Sequence, residues 1–146
     1  MPGDHFYTLS QTTPAAYSNE GIACLVYAED HPEFSTVGVY RYYNPQTTDH
    51  YYTPDKGQGN LAETQGYKIE NNGNPEFYIF KRSLGCDTVP FYQWHIGTDH
   101  FYTTHPTGEL APFLGGQYQG IIGYVFPASA PVVGSLKQLH RYFKPQ

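Results

Sequence analysis

The chain has 146 residues, a formal net charge of −5 and only 14% charged side chains. Mild acidity argues against a face built to neutralise phosphates, so nucleic acid is not an expected partner. No apolar run approaches the ~20 residues needed to cross a bilayer, and no apolar stretch follows Met1-Pro2-Gly3-Asp4, so neither membrane insertion nor a secretory leader is expected. The expected location is the cytoplasm, or outside the cell without a visible signal peptide. Aromatic residues make up 17%, including 15 tyrosines, beside 15 glycines and 12 prolines. That is β composition, and tyrosine adds a flat apolar face with a polar tip. Cys24 and Cys86 occupy different places in the pattern below, so no framework disulfide is expected.

Three five-residue words organise the chain. They are Asp4-His5-Phe6-Tyr7-Thr8, Asp49-His50-Tyr51-Tyr52-Thr53 and Asp99-His100-Phe101-Tyr102-Thr103, with starts 45 and 50 residues apart. Self-similarity at that spacing signals a repeat architecture. The repeats run over about 4–48, 49–98 and 99–146, within one domain, 1–146.

Short β-branched or aromatic runs bounded by turn formers predict four strands in each repeat. In the first they are 4–8, 16–20, 22–28 and 37–43; in the second 49–53, 66–70, 76–82 and 89–95; in the third 99–104, 116–119, 121–127 and 137–143. Short helical pieces are predicted at 60–64 and 108–114, the second weakened by Pro112. The fourth strands align Arg41 with Gln93 and Arg141. Each of the first two leads through a tight turn into the next word, which predicts a hairpin. Pairing of the C-terminal strand with the N-terminal one removes two exposed edges. Three four-stranded pseudo-repeats closed in this way predict an all-β protein, a β-trefoil, with a small barrel or propeller ranked below it.

Alternation places Val39, Arg41, Tyr43, His50 and Tyr52 on one strand face, if Arg41 lies opposite Tyr52 and Tyr43 opposite His50. The other face carries Tyr42 with Tyr51, Trp94 with Phe101, and Tyr142 with Phe6. The second set is bulkier and more apolar, so it is assigned to the barrel core, and the first set to solvent.

The words, together with Tyr17-Ser18-Asn19-Glu20-Gly21-Ile22-Ala23 and Val39-Tyr40-Arg41-Tyr42-Tyr43-Asn44-Pro45, resemble the Asp-His-Phe-Tyr-Thr repeat modules, found alone or attached to secreted hydrolases. The resemblance covers nearly the whole chain and implies an accessory, carbohydrate-binding module. The expected architecture also resembles ricin-B-like trefoil lectins. Their Gln-x-Trp word is absent, however, and Gln93-Trp94 is only a partial echo.

Asp4, Asp49 and Asp99 read either as caps of turns or as carboxylates accepting sugar hydroxyls, with Glu20, Glu70 or Gln119 nearby. His5, His50 and His100 read as structural imidazoles or sugar partners. Metal-ligand spacing is lacking, and separate lobes would hold the three copies apart, so neither metal nor cofactor is expected. Tyr7, Tyr52 and Tyr102 read as core rings or as platforms for a pyranose, beside Tyr43, Arg41 and Arg141. Gln93, His95 and Ile96, and Gln119, depart from the pattern of the other copies, so the sites need not be equal. An adjacent Asp and His point to opposite faces of a strand, and no nucleophile word is present, so catalysis is not expected.

The function these features imply is a lectin-like protein with up to three sugar sites, of galactose type by analogy with trefoil lectins. Avidity on multivalent glycans or glycoproteins would follow. It would act as a monomer or small homo-oligomer. The alternative is a protein-binding trefoil, such as a protease inhibitor using loop 29–36, 71–75 or 84–90.

Overall fold

A computed structural model describes residues 3–146. Its strands are β1 (Asp4–Thr8), β2 (Ser18–Tyr27), β3 (Thr36–Asn44), β4 (Asp49–Thr53), β5 (Lys68–Ile69), β6 (Phe77–Phe80), β7 (Val89–Ile96), β8 (Asp99–Thr103), β9 (Gln117–Pro127) and β10 (Leu136–Lys144). Helix α1 spans Lys56–Glu63. The Asp55 carboxylate starts it by accepting from the Gly57 and Gln58 N–H groups. The sequence expectation began this helix at 60 and took 54–60 as a turn; Gly57 and Gly59, which lower helix propensity, lie inside the helix. Gly59 is required there, since a Cβ would sit 1.9 Å from the Tyr42 hydroxyl. The second expected helix is a short 3₁₀ turn, Pro112–Leu114.

The expected strand pairs 16–20/22–28 and 116–119/121–127 are single long strands, β2 and β9. Gly21 and Gly120 have φ of 94° and 112°, and ladder registers shift beside them. A glycine in that conformation makes a bulge, which bends a strand without ending it. In the second repeat the turn Asn71–Gly73, followed by Pro75, does end it, leaving the short β5 and β6.

The two expected hairpins are present, β3 with β4 and β7 with β8, and so is the expected pairing of β10 with β1. Arg41 lies opposite Tyr52 and Tyr43 opposite His50. The terminal strands pair antiparallel, with Tyr7 opposite Arg141.

The β-trefoil expectation is overturned. One antiparallel ten-stranded sheet, not closed into a barrel, contains all the strands. It has three arms. β2, β6 and β9 pair with one another where the arms join, and the arms end on β1, β4 and β8. Each of these inner strands has a single ladder partner. A barrel would need a second partner for each, and here side chains satisfy their inward backbone groups.

Those side chains are Tyr7, Tyr52 and Tyr102, each about 1% exposed at the centre of the main core with Val39, Phe91 and Leu139. Burying such rings removes ~150–250 Å² each from water. The assignment of this face to solvent is therefore wrong. The other face is largely buried too, in lateral clusters: Tyr42, Tyr51 and Tyr67 against α1, and Ile96 and Phe101 against Ala111. Every residue of β4 and β8 is buried, so alternation could not tell inside from outside.

Candidate functional site

Each position of the repeated word has its own task. The terminal threonine accepts from the N–H two residues on, Ser10, Asp55 or His105, and turns the chain out of the inner strand. The tyrosines form a closed ring. Tyr52 Oη accepts from the Tyr7 N–H at 2.7 Å and donates to the Tyr7 carbonyl at 3.1 Å. Tyr102 does the same for residue 52, and Tyr7 for residue 102. Ring centroids lie 5.3–5.4 Å apart, edge to face.

Asp and His pair between words, never within one. The Asp4 carboxylate accepts from His50 N–H at 2.8 Å and His50 Nδ1 at 2.6 Å. Asp49 accepts likewise from His100, and Asp99 from His5. The third word residue follows its aspartate: Phe6 packs on His50, Tyr51 on His100 and Phe101 on His5, with centroids 4.6–4.8 Å apart. The three aspartates thus converge, with one oxygen of each within 4.8 Å of the others. Their backbone and imidazole donors offset the mutual repulsion of buried carboxylates.

Around each imidazole a polar cluster forms at the boundary between two repeats. At the repeat three/one junction, Glu20 Oε1 is 3.3 Å from His5 Nε2 and accepts from Arg141 Nε at 2.9 Å. Arg141 also forks onto Glu109 at 2.8 and 3.1 Å, and lies over Phe101. At the repeat one/two junction, Glu70 accepts from Arg41 Nε at 2.6 Å and lies 3.7 Å from His50 Nε2. Arg41 also reaches Glu76 and lies over Phe6. Burial raises the Glu76 pKa, with Arg41 opposing and Glu70 adding to the rise. At the repeat two/three junction two amides replace the ion pair: Gln93 Nε2 donates to Gln119 Oε1 at 2.5 Å. Phe143, Tyr43 and His95 occupy equivalent places against the three imidazoles, the first two tilted and His95 stacked.

Of the residues singled out from sequence, the structure gathers Asp4, His50, Glu70, Arg41 and Tyr43 at one junction. Asp99, His5, Glu20 and Arg141 meet at another, and Asp49, His100 and Gln119 at the third. Tyr7, Tyr52 and Tyr102 lie in the core, beyond reach of a pyranose, and their reading as stacking platforms is withdrawn. Glu76, Glu109, Tyr17 and Tyr67 escaped sequence reasoning. Tyr17 donates to Asp4 and Tyr67 to Asp49, both at 2.5 Å, and burial raises both phenols. Their signal was available, since Tyr17 and Tyr67 each stand three residues before Glu20 or Glu70. Cys24 is buried and Cys86 exposed, both free thiols.

Two junctions open into cavities. The larger, about 700 Å³, lies beside Gln93 and Gln119. Tyr51, Tyr67 and His100 line it, with Gln58, Leu61 and Gln65 from the α1 side. The smaller, about 260 Å³, lies at the repeat three/one junction.

His5 carries a testable pH signature. Burial lowers its pKa, but the hydrogen bonds and charges of Asp99 and Glu20 outweigh that and raise it to about 9. A histidine with a folded pKa above its unfolded 6.5 adds stability in full below pH ~6.5 and loses it as pH rises through about 9. Urea unfolding midpoints should therefore fall between pH 6.5 and 9, by an amount on the order of 3 kcal/mol, and His5→Gln should flatten that decline. A flat wild-type profile over this range would refute the pairing.

The fold and junctions describe a repeat protein of three word-bearing arms. Residues 1–126 match the family described as Domain of unknown function (DUF5648), and the chain belongs to it. No curated protein and no solved structure matches it. No helix among the described residues is long and apolar enough to cross a membrane.

Proposed function

We propose that the protein is a lectin-like carbohydrate-binding module, with its principal site in the repeat two/three cleft. The observation that supports this reading is the neutral amide pair at that junction. Elsewhere the polar groups are spent on ion pairs, Arg41 with Glu70 and Arg141 with Glu20 and Glu109. Here, among the described residues, Gln93 Oε1 and Gln119 Nε2 have no protein partner, giving one acceptor and one donor beside tyrosine walls. A cleft of this volume with aromatic walls and a few convergent polar groups suits an uncharged polyhydroxylated ligand. The three sites expected from sequence are thus unequal. The galactose expectation rested on trefoil architecture and goes with it. The reading is one of binding, not catalysis.

A glycan array with the purified protein should show bound saccharides. Gln119→Ala, at an exposed position, should weaken that binding roughly tenfold through loss of a hydrogen bond, with an unchanged circular dichroism spectrum. An empty array, or binding indifferent to Gln119→Ala, would overturn the proposal.

A further inference from the structure

The pseudo-symmetry leaves one place unfilled. In the first two repeats a tyrosine phenol completes the word's aspartate: Tyr17 on Asp4, with its ring 5.8 Å from Phe6, and Tyr67 on Asp49, with its ring 5.9 Å from Tyr51. Register places Gly116 at the same point of the third repeat. Tyr118 lies opposite Trp94 and Gln117 opposite His95, as Lys68 lies opposite Tyr43. Among the described residues, Asp99 therefore takes the same two bonds from a histidine as its counterparts but no phenol. Among the described residues, Phe101 pairs with the His5 ring and with no tyrosine.

The chain cannot supply the missing group from this position. A Cβ on Gly116 would meet the Ala111 carbonyl oxygen at 2.8 Å and Ile96 Cγ1 at 3.1 Å. In front of Asp99 lies the 260 Å³ cavity, walled by Ile96, Phe101, Ala111, Leu114 and Phe143. It borders the Asp99 carboxylate, whose described side-chain partner is His5 alone, and its aromatic and aliphatic wall is edged by His5, Glu20, Glu109 and Arg141. Burial raises the Asp99 pKa, with the His5 hydrogen bonds and charge opposing.

The geometry points to a binding site for a small phenol in this cavity, its hydroxyl donating to Asp99 and its ring packing on Phe101 as Tyr17 and Tyr67 do in the other repeats. The site is separate from the amide cleft and does not depend on the sugar reading.

The probe is p-cresol, the tyrosine side chain as a free molecule, titrated into the full chain and followed by amide chemical shifts. Saturable one-to-one binding is expected, with shifts at Asp99, Phe101 and Ala111. 4-Methylanisole, which cannot donate, should bind at least tenfold more weakly. Leu114→Trp, at an exposed residue on the cavity wall, should weaken p-cresol at least tenfold while leaving the circular dichroism spectrum intact. Asp99→Asn should weaken it as well. The inference is overturned by absence of saturation, by equal binding of 4-methylanisole, by shifts confined to the Gln93–Gln119 cleft, or by displacement of p-cresol with methyl glycosides.

Discussion

Tyr52→Phe should destabilise the protein by about 2–5 kcal/mol, although it removes one oxygen atom and leaves the ring in place. The Tyr52 hydroxyl serves both the N–H and the carbonyl of Tyr7. Both groups lie at the core, where water cannot replace the lost partner. An unsatisfied buried donor or acceptor costs about 1–3 kcal/mol, and here there is one of each. For a chain of this size that is a fall of roughly 6–15 °C in melting temperature. Tyr7→Phe and Tyr102→Phe should behave alike, because each phenol has the same two partners one word away. Urea denaturation of the three variants checks this. Losses below about 1 kcal/mol in all three would show that the ring is a packing cluster and not the substitute for a strand ladder.

Asp49→Ala should cost at least about 3–5 kcal/mol, because it strands an imidazole, a backbone N–H and the Tyr67 phenol that all pointed at one buried carboxylate. Asp4→Ala should match it, losing His50 and Tyr17. Asp99→Ala should cost less, since only His5 is stranded. The ranking is the informative part of the measurement. Equal losses at all three positions would mean that the phenols contribute nothing.

Much of the chain's organisation was legible in its residues. The words gave the repeats, and alignment of Arg41, Gln93 and Arg141 gave the hairpins and their register. The lone first word gave the pairing of β1 with β10. The separation of adjacent Asp and His was also readable, because neighbours on a strand face opposite ways. Inside and outside were not, since Tyr51 and Tyr52 are both aromatic and both buried. Nor was the trefoil alternative removable by sequence. Hairpins in that order suit a closed ladder equally well until the Tyr52 hydroxyl is seen occupying the backbone of Tyr7. Gln93 and Gln119 were each noticed as departures from the pattern. That they touch, 26 residues apart in sequence, needed coordinates. Tyr17 and Tyr67 were passed over because their partners, Asp4 and Asp49, read most simply as caps of turns.

The pairing of β1 with β10 also bears on how the chain acquires its shape during synthesis. Asp4 lies opposite Lys144, and His5 waits for Asp99, 94 positions away. Strand β1 therefore has no edge partner until β10 has been made. The first two arms alone cannot complete the central ring, which also needs Tyr102. Closure over such separations carries a large loop entropy and is intrinsically slow, so the final locking step waits until all three arms have been made.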